Sequence, residues 1–369
     1  MKRGFFIIMS AQFFSSLADN ALFVAAVELL KSEGAPEWHR AALVPMFALF
    51  YVVLAPFVGA FADSRPKGHV MLISNTIKVV GCLLMLFGTH PLMAYALVGL
   101  GAAAYSPAKY GILTELLPAS QLVKANGWIE GLTVVSIIFG TVLGGQLVGD
   151  MLSSTLLSID IPHIETGIDT PGEAAVAVIV VLYAIAAIFN LYIPNTGVDH
   201  KIVNRNPVYL VREFAHCVKL LWADKLGQIS LATTTLFWGA GATLQFIVLK
   251  WAEVALGYTL TQGTTLQGVC AVGVTIGAVL AAKLVPLNRS VSVIPMGIAM
   301  GFIVLIMLVV QSVYVAVPLI VLIGALSGFF VVPMNALLQH RGHLLMGAGH
   351  SIAVQNFNEN LSILVMLGV

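Results

Sequence analysis

The chain has 369 residues, of which 59% are hydrophobic and only 9% charged, and its net charge is +1. Soluble domains carry about 25% charged residues, so this much apolar surface needs lipid as its solvent and excludes an ordinary soluble enzyme. The near-zero charge balance leaves no electrostatic footprint for nucleic acid or an acidic partner.

The N-terminal Met1-Lys2-Arg3 followed by Gly4-Phe5-Phe6-Ile7-Ile8-Met9 imitates a signal peptide, with Ser16-Leu17-Ala18 in the place of a cleavage site. The apolar run continues to Leu30, however, which is long enough for a first membrane span of ~20 residues. Apolar stretches between polar breaks predict spans at 5–30, 40–62, 69–89, 91–117, 125–149, 174–194, 228–254, 262–284, 291–311, 313–338 and 348–369. Helices satisfy their own backbone hydrogen bonds in lipid, so these spans predict an all-α bundle. Cys82, Cys217 and Cys270 are far apart and lack CxxC spacing, which predicts neither a disulfide framework nor a metal site.

Orientation follows from Lys and Arg. With the N-terminus in the cytoplasm, thirteen cations fall on that side, among them Arg65, Lys67, Lys124, Lys201, Arg205, Lys283, Arg289 and Arg341. The other side holds three, Lys31, Arg40 and Lys250. The loop 150–173 is acidic, with Asp150, Asp160, Glu165, Asp169 and Glu173 and no Lys or Arg, as suits an outer loop.

A basic stretch splits the spans six and five. The expected organisation is a six-helix bundle at 1–195, a cytoplasmic linker at 196–227 and a second bundle at 228–369. Within the linker, Tyr209–Trp222 reads equally as an amphipathic helix on the anionic inner leaflet or as a solvated connector. Two stretches look like copies. Pro107-Ala108-Lys109-Tyr110-Gly111 precedes a helix opening Asn126-Gly127-Trp128-Ile129-Glu130, and Pro333-Met334-Asn335-Ala336-Leu337 precedes one with Gln355-Asn356-Phe357-Asn358-Glu359. This order predicts six-span parallel repeats.

Five ionisable residues lie inside spans: Asp19, Lys78, Lys109, Glu130 and Glu359. Each costs at least ~2.5 kcal/mol to insert, so each is expected to face a cavity or a partner. Asp19 sits in a polar patch with Ser15, Ser16 and Asn20, and Glu359 is flanked by Gln355, Asn356, Asn358 and Asn360. Asp19 and Lys109 are expected to line one polar cavity. The structural alternatives are an ion pair of Lys109 with Glu130 and a Lys78 that snorkels. Gly140, Gly144, Gly145 and Gly149 have GxxxG spacing, which predicts close helix packing or a moving seam.

The break between spans 2 and 3 reads Gly59-Ala60-Phe61-Ala62-Asp63-Ser64-Arg65-Pro66-Lys67-Gly68-His69. It resembles the loop signature of the major facilitator superfamily, with extra residues before Gly68 and His69 where a cation is usual. Phe14–Leu22, Gly101–Leu113, Leu122–Gly127, Phe237–Gly241 and Pro333–Gln339 are further similar to the bacterial lysophospholipid transporters of that superfamily. The resemblance runs over essentially the whole chain. It implies two pseudo-symmetric six-helix bundles, with the twelfth helix missing from this chain. It also implies flipping of lysophospholipids, lysophosphatidylethanolamine and lysophosphatidylglycerol, from the outer to the inner leaflet of the bacterial inner membrane. There a cytoplasmic acyltransferase/acyl carrier protein synthetase, Aas, reacylates them.

On this resemblance the substrate-binding residues are Asp19, Asn20, Lys78, Lys109, Glu130, Gln245, Asn335, Gln355, Asn356 and Glu359. Lys109 suits a phosphate as a point charge, and Asp19, Glu130 or Glu359 suits an ammonium. Relatives often carry Arg where this chain has Gln245. Gly59, Asp63, Arg65, Lys67 and Gly68 are the gating loop, and Asp63 is expected to latch onto the start of span 11 when the cytoplasmic side is closed. No cofactor or metal is expected, and no catalysis. A proton-coupled exporter of drugs or small metabolites would use buried carboxylates equally well. A membrane acyltransferase is disfavoured because no His has Asp five residues later and no Ser sits in a G-x-S-x-G elbow.

Overall fold

The structure is a computed structural model that describes residues 3–158, 168–198, 206–258 and 260–368. Lys2, the loop carboxylates Asp160 and Glu165, and the linker cations Lys201 and Arg205 lie outside the described residues.

Among the described residues the chain forms fourteen α-helices and no strand. They are α1 (Arg3–Ser32), α2 (Glu37–Val53), α3 (Ala55–Asp63), α4 (Lys67–Leu86), α5 (Pro91–Leu116), α6 (Leu122–Val148), α7 (Asp150–Leu157), α8 (Pro171–Leu191), α9 (Pro207–Ala223), α10 (Lys225–Leu256), α11 (Leu260–Leu284), α12 (Ile294–Ile306), α13 (Val313–Met346) and α14 (Ala348–Leu367). Every predicted span falls on helix. Among the described residues, eight helical segments are long and apolar enough to cross a membrane, and the α2–α3 pair makes a ninth as one broken span. The other two predicted spans, α5 and α14, are helical but less apolar. Lys109, Ser106 and three tyrosines dilute α5, and the amides around Glu359 dilute α14.

Local chemistry accounts for the breaks. The predicted span 40–62 bends by 61° between α2 and α3, where Pro56 has no N–H to continue the ladder. Thr170 caps α8 in a reciprocal box with Glu173. Gly257 ends α10 at φ 64° and Gly347 separates α13 from α14 at φ 104°, conformations that suit glycine. α13 runs eight residues beyond its predicted end, to Met346, so its polar tail of Gln339, His340, Arg341 and His343 is helical rather than loop.

The chain divides into two compact units, Met1–Ile112 with Val135–Val211, and Leu113–Val134 with Arg212–Val369. The first turns of α6 therefore belong to the second unit and the remainder of that helix to the first. In the first unit α1 and α4 pack on α8. Ala18, Ala21, Leu22 and Ala25 of α1 are buried with Val176, Ile179 and Tyr183 of α8. Gly140 and Gly144 of α6 lie on α1, where a Cβ would stand 2.6 Å from Leu17 O and 2.9 Å from Ala21 O. Gly145 has open space instead, and Gly149 meets only its own helix. Of the two GxxxG spacings, the one through Gly140 and Gly144 is thus the packing face.

In the second unit α11 and α13 make the closest approach. Gly273 and Gly277 face the carbonyls of Val321 and Ala325, while Gly324 and Gly328 face those of Cys270 and Val274, with no room for a Cβ at any of the four. α12 has no buried residue, and Phe302, Leu305 and Leu308 are exposed, as a lipid face would be. The amphipathic α9 turns its apolar stripe to protein rather than to lipid. Phe214, Cys217 and Leu221 are buried, and the Phe214 ring meets Phe357 of α14 edge-on at 5.4 Å.

Candidate functional site

In the first unit, α1 presents Ser15 and Asp19 one turn apart, and α4 presents Asn75 and Lys78 on the facing side. The Lys78 ammonium donates to both Asp19 oxygens at 2.8 Å and to Ser15 Oγ at 3.0 Å. Ser15 Oγ donates to Asn75 Oδ1 at 2.8 Å, and the Tyr183 hydroxyl donates to Asp19 Oδ1 at 2.6 Å. The rings of Tyr105 and Tyr183 lie 5.1 and 5.4 Å from the ammonium, within cation–π range. α5 can come this close because Gly101 faces Ser74 O and Lys78 Cγ, where a Cβ would stand 2.8 Å from each.

Lys78 therefore does not snorkel. Its side chain is 1% exposed, whereas that of Asp19 is 22% exposed, so Asp19 is the reachable end of the pair. Two donors in this cluster, Asn75 Nδ2 and the Tyr105 hydroxyl, are buried without a partner. The other predicted residues of this unit behave differently. Asn20 returns its amide to Ser16 O. Lys109 is half-buried with its ammonium 4.2 Å above the Tyr110 ring.

In the second unit the repeat-related carboxylates Glu130 and Glu359 come into one hydrogen-bonded row. Asn335 Nδ2 donates to Glu130 Oε1 at 3.3 Å, and Gln355 Nε2 donates to Asn335 Oδ1 at 3.0 Å and to Glu359 Oε1 at 2.9 Å. All four residues are buried. A hydrogen bond also joins Thr234 of α10 to the Glu359 side chain. Asn358 and Asn360 bond back to their own helix, at Val354 O and Asn356 O, and Asn356 is buried. Gln245 is exposed, and its backbone carbonyl accepts from Gln267.

The predicted gating loop forms a compact turn. The Lys67 ammonium donates to Asp63 Oδ1 at 2.9 Å and to Ala62 O at 2.7 Å, with both charged groups buried. Arg65 remains exposed, its guanidinium 5.3 Å from the Phe61 ring. Gly59 is buried, and at Gly68 a Cβ would stand 3.0 Å from Ile193 Cβ. The loop therefore needs glycine there to reach the segment after α8.

Sequence reasoning passed over two contacts of the second unit. Asn126 and Gln339 exchange amide hydrogen bonds, at 2.9 and 2.8 Å, with both side chains buried. Asp224 caps α10 through Gly227 N at 2.8 Å and accepts from Arg341 Nε at 3.0 Å and from Arg341 Nη2. The Arg341 hydrogen bond holds the Asp224 carboxyl below its usual pKa. The N-cap position of Asp224, directly before a long apolar run, was a signal the sequence offered. Among the described residues no group of three or more His, Cys, Asp and Glu could hold a metal ion, and all three cysteines are free thiols.

Buried ion pairs and amide rows inside apolar helices can bind and release charged or polar groups, which is the work of a multi-pass membrane transporter. Residues 8–365 match the sequence profile of the Major Facilitator Superfamily. Over its whole length the chain is 42% identical to the lysophospholipid transporter LplT of Yersinia enterocolitica and 43% identical to that of Serratia proteamaculans, covering 87% and 88% of those proteins. The chain belongs to the Major Facilitator Superfamily and, within it, to the LplT family. Its fold resembles the Escherichia coli fucose:proton symporter FucP, at a TM-score of 0.74 and 12% identity over 99% of this chain and 90% of that one. It also resembles an outward-facing bacterial homologue of the iron transporter ferroportin, at 0.71 and 15% over 100% and 91%.

Proposed function

We propose that this protein flips lysophospholipids, lysophosphatidylethanolamine and lysophosphatidylglycerol, from the outer to the inner leaflet of the bacterial inner membrane. The observation that carries the reading is the 42–43% identity, over the full length of this chain, with transporters named for lysophospholipids. The product would be taken up by the cytoplasmic acyltransferase/acyl carrier protein synthetase Aas, which restores the missing acyl chain. The N-terminus is cytoplasmic in this reading, which the thirteen cations against three support.

A lysophospholipid joins an anionic phosphate to a single apolar tail. The half-buried Lys109 offers a point charge for the phosphate. The partly exposed carboxylate of Asp19, held in place by Lys78 and Tyr183, offers an acceptor for an ethanolamine ammonium. The Asp63–Lys67 turn, with Gly59, Arg65 and Gly68, is the gating loop. In proteoliposomes holding the protein, labelled lysophosphatidylethanolamine should cross the bilayer faster than in empty liposomes, and a diacyl analogue should not. Equal rates with and without protein would remove the lysophospholipid reading.

A further inference from the structure

α9 sorts its charges by face. Phe214, Cys217 and Leu221 form its buried stripe. On the opposite side Arg212, His216 and Lys219, at i, i+4 and i+7, form an exposed stripe. Among the described residues none of these three side chains has a hydrogen bond or an ion pair. The acid of the same helix, Glu213, turns away from them, its Oε2 lying 3.9 Å from Nε2 of the buried His350. Asp224, just past the helix, is occupied by Arg341 and by the N-terminus of α10. The exposed face of α9 is therefore positive, with no carboxylate set against it among the described residues.

Two contacts fix the depth of this face. The Phe214 ring meets that of Phe357 at 5.4 Å. Phe357 stands nine residues into α14, about 13 Å along its axis. A helical side chain covers the turn before its own Cα, so the contact still lies well in from the end of α14. α9 thus runs beside a transmembrane helix rather than beneath its tip. At its other end a single residue, Asp224, joins α9 to the long apolar α10. Both attachments put α9 in the polar headgroup layer, roughly 5–8 Å thick on each side of the hydrocarbon core. Trp222, one turn beyond Lys219 and half-buried, suits that layer, where indole rings collect.

We infer that the exposed stripe of Arg212, His216 and Lys219 is a docking surface for the headgroups of anionic diacyl phospholipids in the adjoining leaflet. Their phosphodiesters lie at the height of the guanidinium and the ammonium, both of which donate to phosphate oxygens. An acidic protein segment would meet the same charges, but the depth of α9 and the position of Trp222 favour lipid. These lipids are not the transported molecule, so the inference stands or falls apart from the flipping of lysophospholipids.

The test uses the purified full-length chain in nanodiscs of phosphatidylcholine with a rising fraction of phosphatidylglycerol. Either lipid is brominated near the top of its acyl chains, and Trp222 is read as the difference in tryptophan quenching between wild type and Trp222→Phe. Brominated phosphatidylglycerol should quench Trp222 more than brominated phosphatidylcholine at the same mole fraction, and the excess should fade as salt is raised. Arg212→Gln with Lys219→Gln removes two exposed charges and no packing atoms of the buried stripe. It should lower the preference for phosphatidylglycerol about tenfold or more, with Tm unchanged in phosphatidylcholine alone. Equal quenching by the two lipids overturns the inference. So does a Trp222 that neither lipid quenches, the result for a solvated connector or a face reserved for an acidic protein, and so does an undiminished preference in the double variant.

Discussion

The two units bury charge in opposite ways. In the first, Asp19 is neutralised by a full opposite charge at 2.8 Å and by the Tyr183 hydroxyl. In the second, the Glu359 carboxylate accepts from the Gln355 amide, a dipole where Asp19 has an ammonium. An ion pair sealed on one side is a rigid element, and deleting one partner strands the other. An amide row can exchange partners with smaller steps in energy, because each link is a hydrogen bond rather than a charge pair. The contrast assigns a fixed framework to the first cluster and an adaptable one to the second.

The sharpest way to break this contrast is at Lys78. Lys78→Met leaves Asp19 without its counter-charge in a buried setting and should cost about 3–5 kcal/mol. The measurement is Tm or resistance to denaturant in detergent. Adding Asp19→Asn to Lys78→Met should recover a large part of the loss. A single variant as stable as wild type would mean that the pair is not a framework element.

A smaller effect is expected at the amide pair of the second unit. Gln339→Met leaves Asn126 buried without its partner and should cost about 1–3 kcal/mol, while Asn126→Leu with Gln339→Met should cost less than the sum of the two singles. Additive losses would show that the two amides act separately.

The smallest effect is at Asp224, outside the spans. Its carboxyl is held below the ordinary value by the Arg341 hydrogen bond. A carboxylate with a depressed folded-state pKa contributes stability that is present above its unfolded pKa and is lost as pH falls through the folded value. Wild type should therefore lose stability below about pH 4 more steeply than Asp224→Asn. At neutral pH, Asp224→Ala should cost about 0.5–2 kcal/mol through the lost N-cap. Parallel acid profiles for wild type and Asp224→Asn would contradict the assignment.

The helices were legible because lipid forces apolar runs of fixed length, and the ionisable residues inside them stand out against that background. Partner choice was not legible. Asp19 and Lys78 are 59 residues apart in sequence, and only the packing of α1 and α4 on α8 decides that they face one another. Tyr183 completes the cluster from a helix with no other mark of function in the sequence. Lys109 was expected to share a cavity with Asp19, yet the ammonium bonded to Asp19 in the structure is that of Lys78. The internal repeat did point to Glu130 and Glu359 as counterparts. Their linkage through Asn335 and Gln355 depends on the register of α13 against α14, which periodicity does not carry. The seam of Gly273, Gly277, Gly324 and Gly328 has the same GxxxG spacing as Gly140 and Gly144, and that signal was overlooked in the sequence.

Lys109→Ala is the direct test of the proposal that the half-buried Lys109 holds the phosphate of a lipid headgroup. The measurement is the initial rate of lysophosphatidylethanolamine flipping in proteoliposomes, with wild type and variant at equal protein content. Loss of the phosphate contact should reduce the rate about tenfold or more, corresponding to at least ~1.4 kcal/mol. Lys109→Arg should restore it incompletely, because a planar guanidinium does not replace a compact ammonium. A Lys109→Ala rate within the error of wild type would contradict the account.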